Sequence, residues 1–322
     1  MTSTTQAAPT LKPPSGRSPR KRKFDSVSRA QNRRGWLFVS PTVVLLALFF
    51  IAPIVVVVMM STSQWTLLGG AQGGNFPDNF IKVFQDPLLP KAVWFTVKYT
   101  LLTTVILMPI AFGLALLVQE SRKWNAWLRT AILLPSALGI ASASLLFYAL
   151  YSPQVGPINK ILEAIAGWDA GSSILGTPGG ALWATVLLVV WRFAGYYMLL
   201  LMVGLQAIPT EVYEAAKLDG AGRLRTLFSV TIPLLRPTIA MTMIMSITGS
   251  LLAFDQFFIL TKGGPNNETM TIVQLIYRDA FETKKDLGMA AALSVVLLVA
   301  LVIINLVQLR AMRVGADEES GK

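Results

Sequence analysis

The sequence predicts an all-α, polytopic membrane protein with six transmembrane helices. Three observations carry that prediction. Apolar residues make up 53% of the 322-residue chain and charged residues 14%, against about 25% charged in a soluble domain, and mean hydropathy is +0.57. Too few charges are present to cover a water-facing surface. Six apolar runs are each long enough to cross a bilayer, and helices satisfy their own backbone hydrogen bonds in lipid. Lys and Arg also alternate in density between successive connecting segments.

Taken in order, residues 1–35 read as a basic, disordered cytoplasmic tail, with nine Lys and Arg and one acid, Asp25, between residues 12 and 34. TQAAPTLKPPSGRSPRKRK has no periodicity. The apolar run after it is too long for a signal peptide. A basic tail can bind nucleic acid or acidic lipid, but beside an apolar run it reads as a cytoplasmic flank, with no nucleic-acid partner. The spans are expected at 36–60, 93–118, 130–150, 182–205, 238–260 and 288–309. The first, at 1.5 Å per residue, makes a helix of about 37 Å, with Pro41 and Pro53 tolerated inside it. With the N-terminus inside, cytoplasmic segments carry 19 basic residues and outer loops 7. Both termini therefore fall in the cytoplasm, residues 311–322 forming a short tail. GPINKILEAIAGW, 156–168, reads as a short amphipathic helix in an outer loop. No outer loop is long enough for a large domain.

Several chemistries are excluded. The chain has neither His nor Cys, which removes the usual zinc, haem, iron–sulfur and Cys–His sites. No GxxxxGK[ST] phosphate loop exists. No ordered constellation of Ser, Tyr, Lys and carboxylates marks an enzyme, and no cofactor is expected in this chain.

Between the fourth and fifth spans lies EVYEAAKLDGAG, 211–222. Thr210 is a candidate N-cap, Glu211 and Glu214 sit in the favoured first turn, and Asp219-Gly220 turns the chain. Small residues at Ala215 and Ala216 let another surface approach closely, although alanine is also the default helix residue. On these grounds alone the stretch is either an ordinary connector helix or a docking helix.

In full the segment runs IPTEVYEAAKLDGAGRLRTLFSVTIPLLRP, 208–237. It resembles the EAA loop of the membrane-spanning subunits of bacterial ABC importers: Glu214-Ala215-Ala216, Asp219-Gly220-Ala221, then Ile232-Pro233-Leu234, with Ile-Pro where Leu-Pro is commoner. WRFAGYYMLLLMVGLQAIP, 191–209, and FDQFFILTKGGPNNETMTIVQLIYRDAF, 254–281, are similar to flanking segments of the maltose-type carbohydrate permeases. The resemblance covers about 36–310, a single transmembrane permease domain with a coupling loop at 206–237. It implies the type I importer permease fold with a cytoplasmic coupling helix, in the bacterial inner membrane. It implies a heterodimer with a second permease, two ATPase subunits that use ATP and Mg, and an extracytoplasmic solute-binding protein that delivers a carbohydrate. It assigns ATPase coupling to Glu214, Ala215, Ala216, Asp219 and Gly220. A glycerol-phosphate or other polyol solute is the alternative cargo. An ion-coupled secondary transporter would be expected to show more spans and repeat symmetry, neither of which is evident.

Polar residues inside spans mark either a pathway or packing. Arg192, with Tyr196 and Tyr197, is one candidate set for sugar contact; a charge pair of Arg192 with Asp255, or simple packing, is the other reading. Thr242, Ser246 and Ser250 form a hydroxylated stripe on the fifth span, with Asp255 near its outer end. Lys98, Thr100, Thr103, Thr104 and Pro109 on the second span form a weaker set, in which Lys98 could instead snorkel outward from near the helix end.

Overall fold

The computed structural model describes residues 29–120, 123–154, 156–166 and 173–320. The chain divides into two units, up to Val55 and from Val56 onward. In the first unit, α1 (Arg29–Leu46) leads into a π turn, Ala47–Ile51. Pro53 explains the π turn: it has no N–H to offer the carbonyl four residues back, so the Ala52 N–H reaches Ala47 instead. Apolar side chains of this unit are exposed, Phe38 to 84% and Phe49 to 64%, as befits a surface made for lipid. The helix begins at Arg29, so the expected tail of 1–35 is shortened; residues 1–28 lie outside the described set.

α2 (Ala52–Ser61) runs across the boundary at Val55; in the second unit it is followed by a hairpin of β1 (Ser63–Thr66) and β2 (Gly70–Gly74), antiparallel, pairing Ser63 with Gly74 and Thr66 with Gly70. Then come α3 (Asp78–Gln85) and α4 (Leu89–Val118). The hairpin was not expected; its Gly-rich turn gives no hydrophobic alternation to read. The side chain of Asn79 ties it down, donating to the carbonyls of Ser61 and Ser63 at 3.0 and 2.8 Å.

The third apolar run corrects an expectation. It is not one straight span over 130–150. α5 (Lys123–Leu133) ends in a 3₁₀ turn, Leu134–Ala137, and α6 (Ile140–Leu150) leaves it at 92°. Pro135 withholds a helical N–H, Leu138 is extended at ψ 139°, and Gly139 follows before the chain re-enters a helix. α7 (Pro157–Ala166) is the expected amphipathic helix of 156–168, whose last residues are not described.

α8 (Pro178–Gln206), α9 (Thr210–Leu218), α10 (Arg223–Thr226) and α11 (Ile232–Leu251) follow. The expected fifth span, 238–260, falls within one apolar helical stretch from Arg223 to Leu260, but it is interrupted. Its helix starts earlier and stops at Leu251, Leu252 to Phe254 break it, and α12 (Asp255–Leu260) resumes. The break holds because a freed carbonyl, that of Ala253, accepts the hydroxyl of Thr271 at 2.8 Å. α13 (Ile272–Tyr277), a π turn at Arg278–Glu282 and α14 (Leu287–Ser320) complete the chain. α14 continues past the expected boundary at 310, so 311–320 is helical.

Five of these helices are long and apolar enough to cross a membrane, six if the bent third pair counts as one span. The core centres on α4 and α8. Along α4 the residues Tyr99, Thr103, Leu107, Ala111 and Ala115 recur every four positions and are buried, one stripe of a helix. Phe257 of α12 closes the stripe, edge-on to Phe95 and Tyr99 at 5.0 and 4.8 Å. A second cluster joins Val83, Ala92, Leu275, Met289 and Leu293 from α3, α4, α13 and α14.

Candidate functional site

A cavity of about 190 Å³ lies where α4, α8 and the broken end of α11 meet. α4 brings Tyr99 and Thr103 one turn apart, and α8 brings Phe193 and Tyr197, also one turn apart. From α11 and its break come Ser246, Ser250 and Phe254, and from α12 Asp255 and Gln256. Four-residue spacing places each pair on one helix face. Gln256 Nε2 donates to the Tyr99 hydroxyl at 3.1 Å, and the hydroxyls of Thr104 and Ser246 lie 3.3 Å apart. The lining thus combines ring faces with hydroxyls, an amide and a single carboxylate, and no Lys or Arg is among it.

Of the seven pathway candidates, the fold brings Tyr197, Ser246, Ser250 and Asp255 to this cavity. Arg192, Tyr196 and Thr242 are elsewhere. Arg192 Nε donates to the Leu138 carbonyl at 2.9 Å, while Ser136 Oγ donates back to the Arg192 carbonyl at 2.8 Å. Its guanidinium also lies 4.1 Å from the Phe193 ring centroid. Arg192 therefore fastens α8 to the bend of the third span, and no Arg192–Asp255 ion pair occurs among the described residues. The approach there is close: a Cβ on Gly195 would sit 2.3 Å from the Ile132 carbonyl oxygen. Tyr196 is 38% exposed and packs edge-on against Tyr197 at 5.3 Å. Thr242 returns its hydroxyl to the Thr238 carbonyl at 2.6 Å. Tyr99 escaped the sequence reading because a tyrosine in an apolar run looks like packing; its spacing of four from Thr103 was the available signal.

The second candidate element is α9 with its turn. Gly220 has φ 75°, a conformation glycine adopts without strain. Ala221 N–H bonds the Ala216 carbonyl at 2.9 Å and Gly220 N–H the Lys217 carbonyl at 3.0 Å, which is a Schellman ending. Ala216 is buried while Glu214, Ala215, Asp219 and Gly220 are exposed, and Leu218, Leu224 and Phe228 present apolar surface, exposed to 89%, 73% and 65%.

A bundle of apolar helices encloses a mostly apolar cavity carrying a few polar groups, with a short polar helix between two spans, an arrangement suited to a membrane transport subunit. The sequence from 108 to 314 matches the family of binding-protein-dependent transport system inner membrane components, and the chain belongs to that family. It is similar to a probable ABC transporter permease, YurN, of Bacillus subtilis (strain 168), 31% identical over 285 residues, covering 88% of this chain and 97% of that one. The lactose permease LacF of Rhizobium radiobacter is 31% identical, covering 89% and 97%. The sn-glycerol-3-phosphate permease UgpA of Escherichia coli (strain 536) is 32% identical, covering 88% and 97%. A solved bacterial ABC transporter involved in importing the acidic polysaccharide alginate contains a chain of the same fold, with a TM-score of 0.77 at 22% identity over 88% of this chain and 98% of that one.

Proposed function

We propose that this chain is the non-catalytic permease subunit of an ATP-driven importer and that its cargo is a saccharide. The observation that carries the cargo class is the cavity lining. Aromatic faces pack on the CH faces of a sugar ring, while hydroxyls, an amide and a carboxylate meet its OH groups. A phosphate-bearing cargo, the class named for UgpA, would call for a cation in the cavity, and Arg192 is instead engaged at the third-span bend. The chain works by alternating access, beside a homologous second permease, above two ATPase subunits that bind ATP and Mg, with a solute-binding protein delivering cargo from outside. Both termini and α9 face the cytoplasm of a bacterial inner membrane. Of the five coupling residues Glu214, Ala215, Ala216, Asp219 and Gly220, the exposed Glu214, Ala215, Asp219 and Gly220 form the surface that seats in an ATPase, while Ala216, buried, packs α9 on its own chain. The hydrogen-bonded Gly220 ending supports this reading, since it holds a two-turn helix rigid enough to carry a push.

The test is uptake by the assembled transporter in proteoliposomes, with lactose and sn-glycerol 3-phosphate as labelled solutes. ATP-dependent saccharide uptake that collapses in Ser246→Leu is expected. Uptake driven by an ion gradient without the ATPase would overturn the importer reading, and exclusive uptake of the phosphate ester would overturn the cargo class.

A further inference from the structure

Beyond the break that ends α11, a second cavity of about 260 Å³ lies apart from the first and shares none of its lining residues. Two walls are rings: Phe258 of α12 and Tyr277 of α13 meet edge-on at 5.2 Å. Gln274, 4% exposed, lines the same cavity from the helix that carries Tyr277, and its Oε1 has no hydrogen-bond partner among the described residues. A buried acceptor left unmatched is costly, and here it lines a cavity. Lys262 and Arg278 bring donors to the same space, and Glu282 brings an acceptor. Arg278 is held in place, donating from Nη1 to Asn267 Oδ1 at 2.9 Å and from Nε to Thr283 Oγ1 at 3.0 Å.

The two cavities are joined by aromatic surface. Phe254 lines the first cavity; it stacks on Phe258 at 5.1 Å and meets Tyr277 at 5.3 Å. Three rings therefore lead from one cavity to the other. Resting on the reading of the chain as a saccharide permease, we propose that the second cavity is an outer reception subsite for one sugar ring, which passes to the central cavity along Phe254. The volume suits a single ring, being below the roughly 300 Å³ at which pockets for drug-sized ligands begin. The unmatched group is an acceptor, so the ligand must offer O–H or N–H there. A phosphate, mostly dianionic at neutral pH, would pair with Lys262 and Arg278 but offers Gln274 Oε1 few donors and would also face Glu282. A neutral sugar ring answers all three features: CH faces for Phe258 and Tyr277, a hydroxyl donor for Gln274 Oε1, and hydroxyl acceptors for Lys262 and Arg278.

The experiment uses the complete transporter in lipid nanodiscs, without the binding protein, and saturation-transfer difference NMR with glucose, lactose and maltotriose as probes. Tyr277→Ala and Gln274→Leu should each weaken the saccharide signal about tenfold, the loss of one ring contact or one buried hydrogen bond. Tyr277→Phe keeps the ring and should bind as the native chain does, which separates loss of a platform from loss of folding. Ser246→Leu should abolish uptake yet retain an outer signal that Tyr277→Ala then removes. A saccharide signal that is unchanged in both Tyr277→Ala and Gln274→Leu, or one that Ser246→Leu alone removes, overturns the outer subsite and leaves the saccharide reading standing. If none of the three sugars binds, while the same preparation takes up sn-glycerol 3-phosphate with ATP, the saccharide reading falls and the subsite with it.

Discussion

The guanidinium of Arg192 donates to a carbonyl at the Leu134–Gly139 bend, so its charge serves the joint between two helices. Arg192→Ala should lower stability by about 0.5–1.5 kcal/mol, the loss of one hydrogen bond whose Leu138 carbonyl lies on an exposed residue, seen as a lower melting temperature of the detergent-solubilised protein. The apparent KM for uptake should stay within about twofold, since no transition-state or binding contact is removed. A large rise in KM with an unchanged melt would return Arg192 to the cargo path. Asp279 is a different kind of buried charge. Burial pushes its carboxyl above the ordinary 3.8, against the pull of Lys284, which bridges Asp279 and Asp86. The folded state therefore holds this proton more tightly than the unfolded one. Stability contributed by the group is fully present below about pH 3.8 and is lost as pH rises through the raised value, then levels off. Asp279→Asn should flatten that part of a melting-temperature profile measured from pH 4 to 8; an unaltered slope would place the titration elsewhere.

At the scale of elements, Gly220 decides how α9 ends. At φ 75° a Cβ is strained, and Gly220→Ala should cost about 1 kcal/mol, with Gly220→Pro also removing the N–H that bonds Lys217. Co-purification of the ATPase should weaken in the first variant and fail in the second, while the melt of the isolated permease moves little, because the turn is exposed. Much of this level was legible beforehand. Gly220 marks the end of α9 by helix-stop chemistry, but its start is corrected: Pro209 is the N-cap with no side-chain bond, Thr210 is already helical, and only Glu211 lies in the first turn; unbroken apolar runs gave α4, α8 and α14. The breaks were harder. LLPSALG carries both a proline and a glycine, yet Pro41, Pro109 and Pro237 lie inside continuous helices, so proline alone does not announce a bend. At 252–254 the chain has Leu, Ala and Phe, with no breaker at all; the helix yields there because Thr271, far along the sequence, caps the Ala253 carbonyl. Half of the central cavity was visible as the Ser246 and Ser250 stripe. On α4, Thr103 was already in the weaker second-span set, but Tyr99 was hidden because it becomes a cavity wall only once α12 docks across it.

For the whole molecule, the proposed orientation yields a clean experiment because the chain has no cysteine. Leu218→Cys and Leu68→Cys introduce thiols at positions 89% and 94% exposed. An impermeant maleimide should label the Leu68 variant in intact cells and the Leu218 variant only after the membrane is opened; the reverse pattern would invert the topology. The bend at 134–139 has a mechanical consequence. α8 ends at Gln206 and α9 begins at Thr210, so three residues link them, and Ile208 among these is buried. Midway along α8, Arg192 and the Gly195 contact grip the elbow of the third span. α8 is thus a crank with a short handle at one end and a clamp at its middle. A tilt applied at the handle must turn the elbow, and with it α6, whose far side packs on α12. α6, whose Ile140 lines the central cavity, and α12, whose Asp255 and Gln256 do so too, are in this way linked by packing to the helix that leads into α9.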